Sequence, residues 1–229
     1  MTMIQHHPSD DLLLALAAGS LPGGPSLVVA SHVEGCAQCG SRMRVLEAAG
    51  GAMLEGLAPE PLSPQALAQT LAAIDARPHG GAAPARSREA AAPARPVARF
   101  PAAPEGMAWP RAFRSCSATR WRWLAPGIRW SRITLPADPQ AKLFLLRIGA
   151  GMKLAWHTHS ESELTQVLHG SFHDGRALFG TGDFDQADGG IHHQPVVRAD
   201  SECICLASIE GRMLFDGALA RTLGALIGM

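Results

Sequence analysis

Two stretches of this 229-residue chain carry donor atoms at spacings that a metal ion can use, and they differ in chemical character. The first reads His32-x3-Cys36-x2-Cys39, with the pair His6-His7 upstream. Thiolates and imidazoles together make the soft, four-coordinate set that zinc takes in structural sites. The second reads His157-x-His159-x3-Glu163, with His193 further along the chain. Its nitrogen and oxygen donors suit zinc, iron, manganese or nickel. Two sets so different imply two separate tasks.

Spacing says how each set is presented. His32 and Cys36 are four apart and project from one face at a helix end, and Cys36 with Cys39 makes the turn that lets two sulfurs reach one ion. The fourth ligand must come from elsewhere, and His6 or His7 would tie the start of the chain to this turn. In the second set, alternation places His157 and His159 on one face of a strand, with Glu163 opening the next strand. Three imidazoles and a carboxylate can hold a divalent ion and leave a position open, as catalysis or small-molecule sensing requires. His192 competes with its neighbour His193. Cys203 and Cys205 sit two apart in a strand, either as buried small residues or as an oxidisable thiol pair whose direct disulfide would be strained. Cys116 has no partner spacing and reads as structural, and His169 and His173 read as surface histidines.

The elements that must hold these residues change type along the chain. Residues 9–76 read as a small helical domain. Ser9 is an N-cap followed by Asp10 and Asp11, and Gly19 closes the helix. A second helix is predicted from Ser26 to Glu34, a third from Ala37 to Ala49 before a break at Gly50-Gly51, and a fourth from Ser63 with Pro64 at its first position. In the fourth, Leu67, Thr70, Leu71 and Ile74 fall on one stripe. Residues 77–104 turn to Ala, Pro, Gly and Arg, too poor in large apolar groups to repay ordering, and read as a solvated tether between domains. From 105 to 229, short β-prone runs at 142–148, 163–169, 176–180, 203–209 and 212–215 alternate with glycine-containing turns, which suggests an antiparallel sandwich or barrel. The tail GALARTLGALIG reads as a short helix or finishing strand.

Composition removes several function classes. Lys+Arg and Asp+Glu each total 20, so no global positive field draws in nucleic acid or an anionic membrane. The apolar run at 12–19 is too short to span a bilayer and follows two aspartates instead of a basic segment. Five cysteines arranged as one C-x2-C, one C-x-C and a single residue form no secreted disulfide framework. A cytoplasmic location is expected. A DNA-binding zinc finger is disfavoured, since only Arg42 and Arg44 follow the C-x2-C closely and no basic stripe lines a recognition helix.

HHPSDDLLLALAAGSLP together with SHVEGCAQC resembles the zinc-binding domain of anti-sigma factors. Downstream, Gly151-x5-His157-x-His159-x3-Glu163-x6-Gly170 closely resembles the first cupin motif. Gly182-x5-Asp188-Gly189-Gly190-x2-His193 resembles the second, with Asp188 where that family has proline and Val197 where it often has asparagine. With both parts in one chain, the whole is similar to the ChrR group of zinc-dependent anti-sigma factors. The resemblance implies an α+β protein of two domains: a small all-α zinc-binding helical bundle over 1–76, then an all-β cupin (a double-stranded β-helix, or jelly-roll barrel) over 105–229. It implies zinc held by His7, His32, Cys36 and Cys39, with His7 preferred over His6. It also implies zinc or another divalent metal (iron, manganese, nickel) held by His157, His159, Glu163 and His193. An extracytoplasmic-function sigma factor is the implied partner, its polymerase-binding surfaces hidden by helical faces that include the Leu67, Leu71 and Ile74 stripe, unless that stripe is internal core. The cupin would sense oxidative stress, as singlet oxygen or organic hydroperoxide, and release the sigma factor without turnover. No direct DNA or membrane contact is expected, and a dimer through the cupin is left open. The rival reading is a cupin metalloenzyme, a dioxygenase, hydrolase or isomerase with a zinc-stapled accessory domain.

Overall fold

The computed structural model describes residues 3–76 and 100–217. Most of the expected tether, and the tail from residue 218, lie outside the described residues. The first helix forms as its capping residues dictate: Ser9 Oγ accepts the Leu12 N–H, Asp10 and Asp11 occupy the first turn of α1 (Asp10–Ala17), and Gly19 leaves the helix with φ +67°. α2 (Gly23–Gly35) begins earlier than the expected Ser26. Pro22 caps it in an extended conformation, and Pro25 falls in the first turn, where a missing N–H breaks no helical bond. α3 (Ala37–Glu55) runs through Gly50-Gly51, where a break was expected. Neither glycine takes a positive φ, so the pair costs roughly 1 kcal/mol per residue relative to alanine but does not turn the chain. α4 (Ala66–Asp75) starts later than Ser63, whose carbonyl instead closes a turn onto the Ala66 N–H.

After a 3-10 turn at Arg111–Ser115 the chain is all β. The strands are β1 (Ser117–Ala118), β2 (Arg122–Ala125), β3 (Ile128–Leu135), β4 (Asp138–Ile148), β5 (His157–His159), β6 (Ser162–His169), β7 (Ser171–His173), β8 (Leu178–Gly180), β9 (Phe184–Asp188), β10 (Val196–Val197), β11 (Cys203–Ile209) and β12 (Met213–Phe215). One sheet runs in the order β1-β3-β4-β11-β6-β9 with β2 added on β3; two smaller sheets are β10-β7-β8 and β12-β5. Every described pairing is antiparallel, as the short turn-bounded runs predicted. Phe144, Leu146, Val167, Cys205 and Ile209 of the large sheet share an apolar interior with Phe172, Phe179, Val197 and Met213 of the small ones.

The opposite face of the large sheet is also buried. Leu143, Leu145, Leu164 and Leu206 form a second core with Leu13, Leu27, Val28, Val29 and Met43 of the helices. β4 and β11 are therefore covered on both sides, which is why their sequences read as continuous apolar runs instead of alternating ones. α2 lies close against the sheet: a Cβ at Gly24 would sit 2.5 Å from Ser208 Oγ. Residues 3–51 and 100–217 accordingly form one compact unit, and 52–76 belongs to a second. The expected boundary at residue 76 does not separate two cores, because the apolar faces of α1–α3 are spent on the sheet. Packing also resumes inside the expected tether, where the Phe100 ring stacks on Phe113 at 5.2 Å. In the second unit, α4 leaves Leu67 71%, Leu71 51% and Ile74 51% exposed, so the stripe is not internal core.

The two glycines that bracket the His-His-Glu stretch give a test of the turn geometry. Gly151 and Gly170 both hold positive φ (+70° and +73°), but a Cβ at Gly151 meets open space, whereas one at Gly170 would be driven into the backbone carbonyl of Glu202. Gly151→Ala should cost about 1 kcal/mol of strain alone, and Gly170→Ala at least about 2 kcal/mol more. Thermal melts of the two variants check this; equal losses would contradict it.

Candidate metal centres

The first cluster assembles where α2 hands over to α3. His32 sits on the last turn of α2, fully buried, and Cys36 is the single extended residue between the helices. Cys36 Sγ accepts the Cys39 N–H (3.5 Å) at the start of α3, where the positive end of the helix dipole favours a thiolate. His7 arrives from the segment before α1. Its Nδ1 lies 3.4 Å from His32 Nε2 and 3.4 Å from each of Cys36 Sγ and Cys39 Sγ. Those separations fall within the edges of roughly 3.3–3.8 Å of a tetrahedron with metal bonds of about 2.0–2.3 Å. Between the two upstream histidines it is His7 that joins the group, while the His6 ring packs on Phe179 at 4.6 Å. The ring nitrogen of His32 that faces away donates to the Gly182 carbonyl (2.9 Å), which leaves Nε2 with its lone pair toward the cluster. Burial lowers the His32 pKa to about 4, so its imidazole is neutral, and burial beside Cys36 pushes the Cys39 thiol up to about 12. A cation would be needed to hold the Cys39 sulfur as a thiolate here.

The second cluster lies within the β unit. β5 carries His157 and His159 on the same face, β6 presents Glu163, and His193 bridges to His157 through paired backbone hydrogen bonds. His193 Nε2 is 3.1 Å from His157 Nε2 and 3.4 Å from His159 Nε2, and His159 Nε2 is 3.3 Å from Glu163 Oε2. Outer contacts aim the rings: His157 Nδ1 donates to the Ala155 carbonyl (2.8 Å) and His193 Nδ1 to Asp174 Oδ2 (3.3 Å). Burial drops the pKa of His157 to about 3 and of His159 to about 4, and burial reinforced by Asp185 lifts Glu163 to about 8. His157, His159 and Glu163 are thus held neutral. A dication fits that arrangement, because it would displace one proton and complete the charge balance.

Among the other residues singled out in the sequence, His192 turns outward to stack on Trp156 (5.1 Å) and pair with Asp216 (3.0 Å), and His169 and His173 join no cluster. Cys116 is buried. Cys203 and Cys205 are buried together with their sulfurs 3.6 Å apart. The hydrogen bond shared with Cys203, together with burial, raises Cys205 well above the ordinary thiol range. Sequence reasoning missed an ionic group behind His193, in which buried carboxylates meet a partly exposed arginine. Arg176 Nε bonds Asp174 Oδ2 (2.6 Å) and its NH2 group bonds both oxygens of Asp185 (2.8 and 2.9 Å). Burial opposes ionisation of Asp174, but hydrogen bonds from the backbone N–H groups of Arg176 and Ala177 and from the His193 and Arg176 side chains hold its carboxyl below the usual range. The only local signal was the turn sequence Asp174-Gly175-Arg176, which names a hairpin turn but no partner.

Two pH effects follow. With the first cluster already zinc-loaded, divalent metal entering the second near pH 7 should expel about one proton, from Glu163, and Glu163→Gln should expel none. Titration calorimetry in buffers of different ionisation enthalpy measures that number. For the metal-free chain, His32, His157 and His159 have folded pKa values below their unfolded 6.5, so stability is full above pH 6.5 and lost as pH falls toward 4. Glu163, raised above 4.5, works the other way between about 8 and 4.5 but is outnumbered. Thermal melts across pH 4–8 should therefore show a net acid-side loss.

A family model described as the ChrR cupin-like domain matches residues 110–210. The anti-sigma-E factor ChrR of Cereibacter sphaeroides is 38% identical over 218 residues, 95% of this chain and 95% of that one. The crystal structure of Rhodobacter sphaeroides SigE in complex with the anti-sigma ChrR matches with a TM-score of 0.69 and 32% identity, covering 91% of this chain and 100% of that chain. Among the described residues no helix is long and apolar enough to cross a membrane. Similarity of this degree, sustained through the helices and the β unit alike, means that the chain belongs to the ChrR family of anti-sigma factors.

Proposed function

We propose that this protein is an anti-sigma factor whose helices bind an extracytoplasmic-function sigma factor in the cytoplasm and cover its polymerase-binding surfaces. The observation that carries this reading is the uncovered apolar stripe of α4, Leu67, Leu71 and Ile74, in a chain so similar to a ChrR that was crystallised with SigE. A row of large apolar side chains left in water is costly unless a partner covers it. His7, His32, Cys36 and Cys39 would hold a structural zinc that fixes the α2–α3 corner and the segment before α1. His157, His159, Glu163 and His193 would hold zinc or another divalent metal. When bound, that ion supplies a Lewis-acidic centre with room for a further ligand. In the sensing reading the second cluster responds to singlet oxygen or organic hydroperoxide, and the chain's affinity for the sigma factor falls. Cys205 enters as a protonated buried thiol beside Cys203, a poor resting nucleophile, so the metal cluster is the better receiver of the signal.

Because α1–α3 pack on the large sheet, the full chain is the object to test. Co-purified with the extracytoplasmic-function sigma factors of its own genome, it should form a one-to-one complex that blocks transcription by the loaded polymerase. Leu67→Glu combined with Leu71→Glu should weaken binding by about 100-fold or more. His159→Ala should still form the complex yet fail to release on exposure to singlet oxygen or organic hydroperoxide. If no sigma factor binds the native chain, the reading fails and the second cluster should be assayed for turnover.

A further inference from the structure

Both histidines of the first cluster are held in place by one turn of the β unit. The turn joins β8 to β9 through Thr181, Gly182 and Asp183. Asp183, buried to 5% exposure, accepts the Gln5 N–H (2.6 Å) and the His6 N–H (3.0 Å) on Oδ1 and the Gly180 N–H (2.8 Å) on Oδ2. The Phe184 N–H returns a bond to the His6 carbonyl (3.1 Å), so residues 5 and 6 are fastened to the start of β9 immediately before His7. Ile4 closes over Gly182, where φ is +96° and any Cβ would strike the Ile4 side chain at 2.7 Å. Gly182 also supplies the carbonyl that receives His32 Nδ1, and the Phe184 ring meets the His32 ring edge-on at 5.7 Å. The turn thus positions His7 by its backbone and His32 by its ring.

The same strand reaches the second cluster. Two residues beyond Asp183, Asp185 takes both hydrogen bonds of the Arg176 NH2 group, Arg176 binds Asp174, and Asp174 receives His193 Nδ1. Every link is a hydrogen bond or a covalent step, and the Asp174, Asp185 and His193 side chains are buried, while Arg176 between them is partly open to solvent. A metal on His193 Nε2 fixes that ring, the ring fixes Asp174, and the ionic group fixes the first residues of β9.

We propose that the Gly182–Asp183 turn couples the two metal centres, so that retention of metal by the His7, His32, Cys36 and Cys39 cluster depends on occupancy of the His157, His159, Glu163 and His193 cluster. Asp183 is the positioning residue of this coupling. The proposal concerns metal alone and stands apart from whether a sigma factor binds. By linkage the dependence is reciprocal.

The test uses the full chain with cobalt(II) in the first cluster and zinc in the second. Sulfur-to-cobalt charge-transfer absorption reports only the cysteine-bearing cluster, and its decay into excess chelator gives the release rate. His159→Ala removes one of the four donors of the second cluster, loss of its zinc being checked by metal analysis, and leaves the Asp174, Arg176 and Asp185 contacts in place, since His159 makes none of them. Release from the first cluster should then quicken by about 10-fold, a typical size for coupling between sites. Asp183→Ala should release equally fast with or without His159, and Asp183→Asn, which keeps an acceptor oxygen for Gln5 and His6, should restore part of the difference. Equal rates in the native chain and His159→Ala would overturn the proposal whether or not Asp183→Ala folds. A difference that persists in a folded Asp183→Ala would overturn the turn as its route. A cysteine-bearing cluster that takes up no cobalt would overturn it together with the assignment of that cluster.

Discussion

Burial of α2 between the other helices and the outer face of the large sheet is the constraint on which the rest of the molecule depends. Gly24, Pro25, Leu27, Val28, Val29, Ser31 and His32 are all buried, so this helix has hardly any solvent face. A helix apolar all round belongs inside a core, and α2 has that character because partners cover it from both sides. Gly24 sets the closeness of the contact, since any larger residue would press on Ser208 and lift the helix from β11. Seating α2 brings the His32 ring against Gly182 and Phe184, and it places Cys36 and the start of α3 where His7 can meet them.

The two clusters solve the same electrostatic problem with different donors. Each gathers ionisable groups in a buried space, and burial is the largest force toward neutrality there: the His32, His157 and His159 imidazoles unprotonated, the Cys39 thiol and the Glu163 carboxyl protonated. Neutral imidazoles are ready ligands, whereas the acids need a cation to ionise. The thiol set, closed by four protein ligands, suits a structural ion, and the imidazole and carboxylate set suits an ion with coordination to spare. Behind the second set, Arg176 does for Asp174 and Asp185 what a metal would otherwise have to do. Its guanidinium spans both carboxylates and leaves Asp174 ionised as an acceptor for His193.

What the sequence made legible was local. Which donor groups come together could be read because C-x2-C, His-x-His and the i,i+4 step are short spacings fixed by helix and strand geometry. Ser9 could be read because a cap acts within one turn. The pairing of Asp174 with His193, and of Gly182 with His32, joins residues distant in sequence through a sheet whose register no single motif states. The helix through Gly50-Gly51 was misjudged because glycine lowers helix propensity without forbidding the conformation. The domain boundary was misplaced for a more instructive reason. KLFLLRI and CICLASI were recognised as strands, yet their unbroken hydrophobicity also meant that both faces of the sheet were covered. Only α1–α3 precede the sheet with enough apolar surface to supply the second cover.

That double cover changes how a signal can travel. Two domains joined only by the Ala, Pro and Arg-rich stretch at 77–99 would have to communicate through a tether, which transmits little beyond proximity. Here the segment before α1 and the end of α2 are bonded directly to the turn before β9, and β9 carries the carboxylate that orders the ionic group behind His193. A change at the second cluster meets packed and hydrogen-bonded groups all the way to the first. Packed cores and buried ion pairs shift between discrete arrangements more readily than they deform by degrees. On the coupling proposed above, loss of order at His193 would reach the corner where α2 meets α3. On that same coupling, α3 need not touch the second cluster to be affected by it, because α3 starts at that corner and carries Cys39.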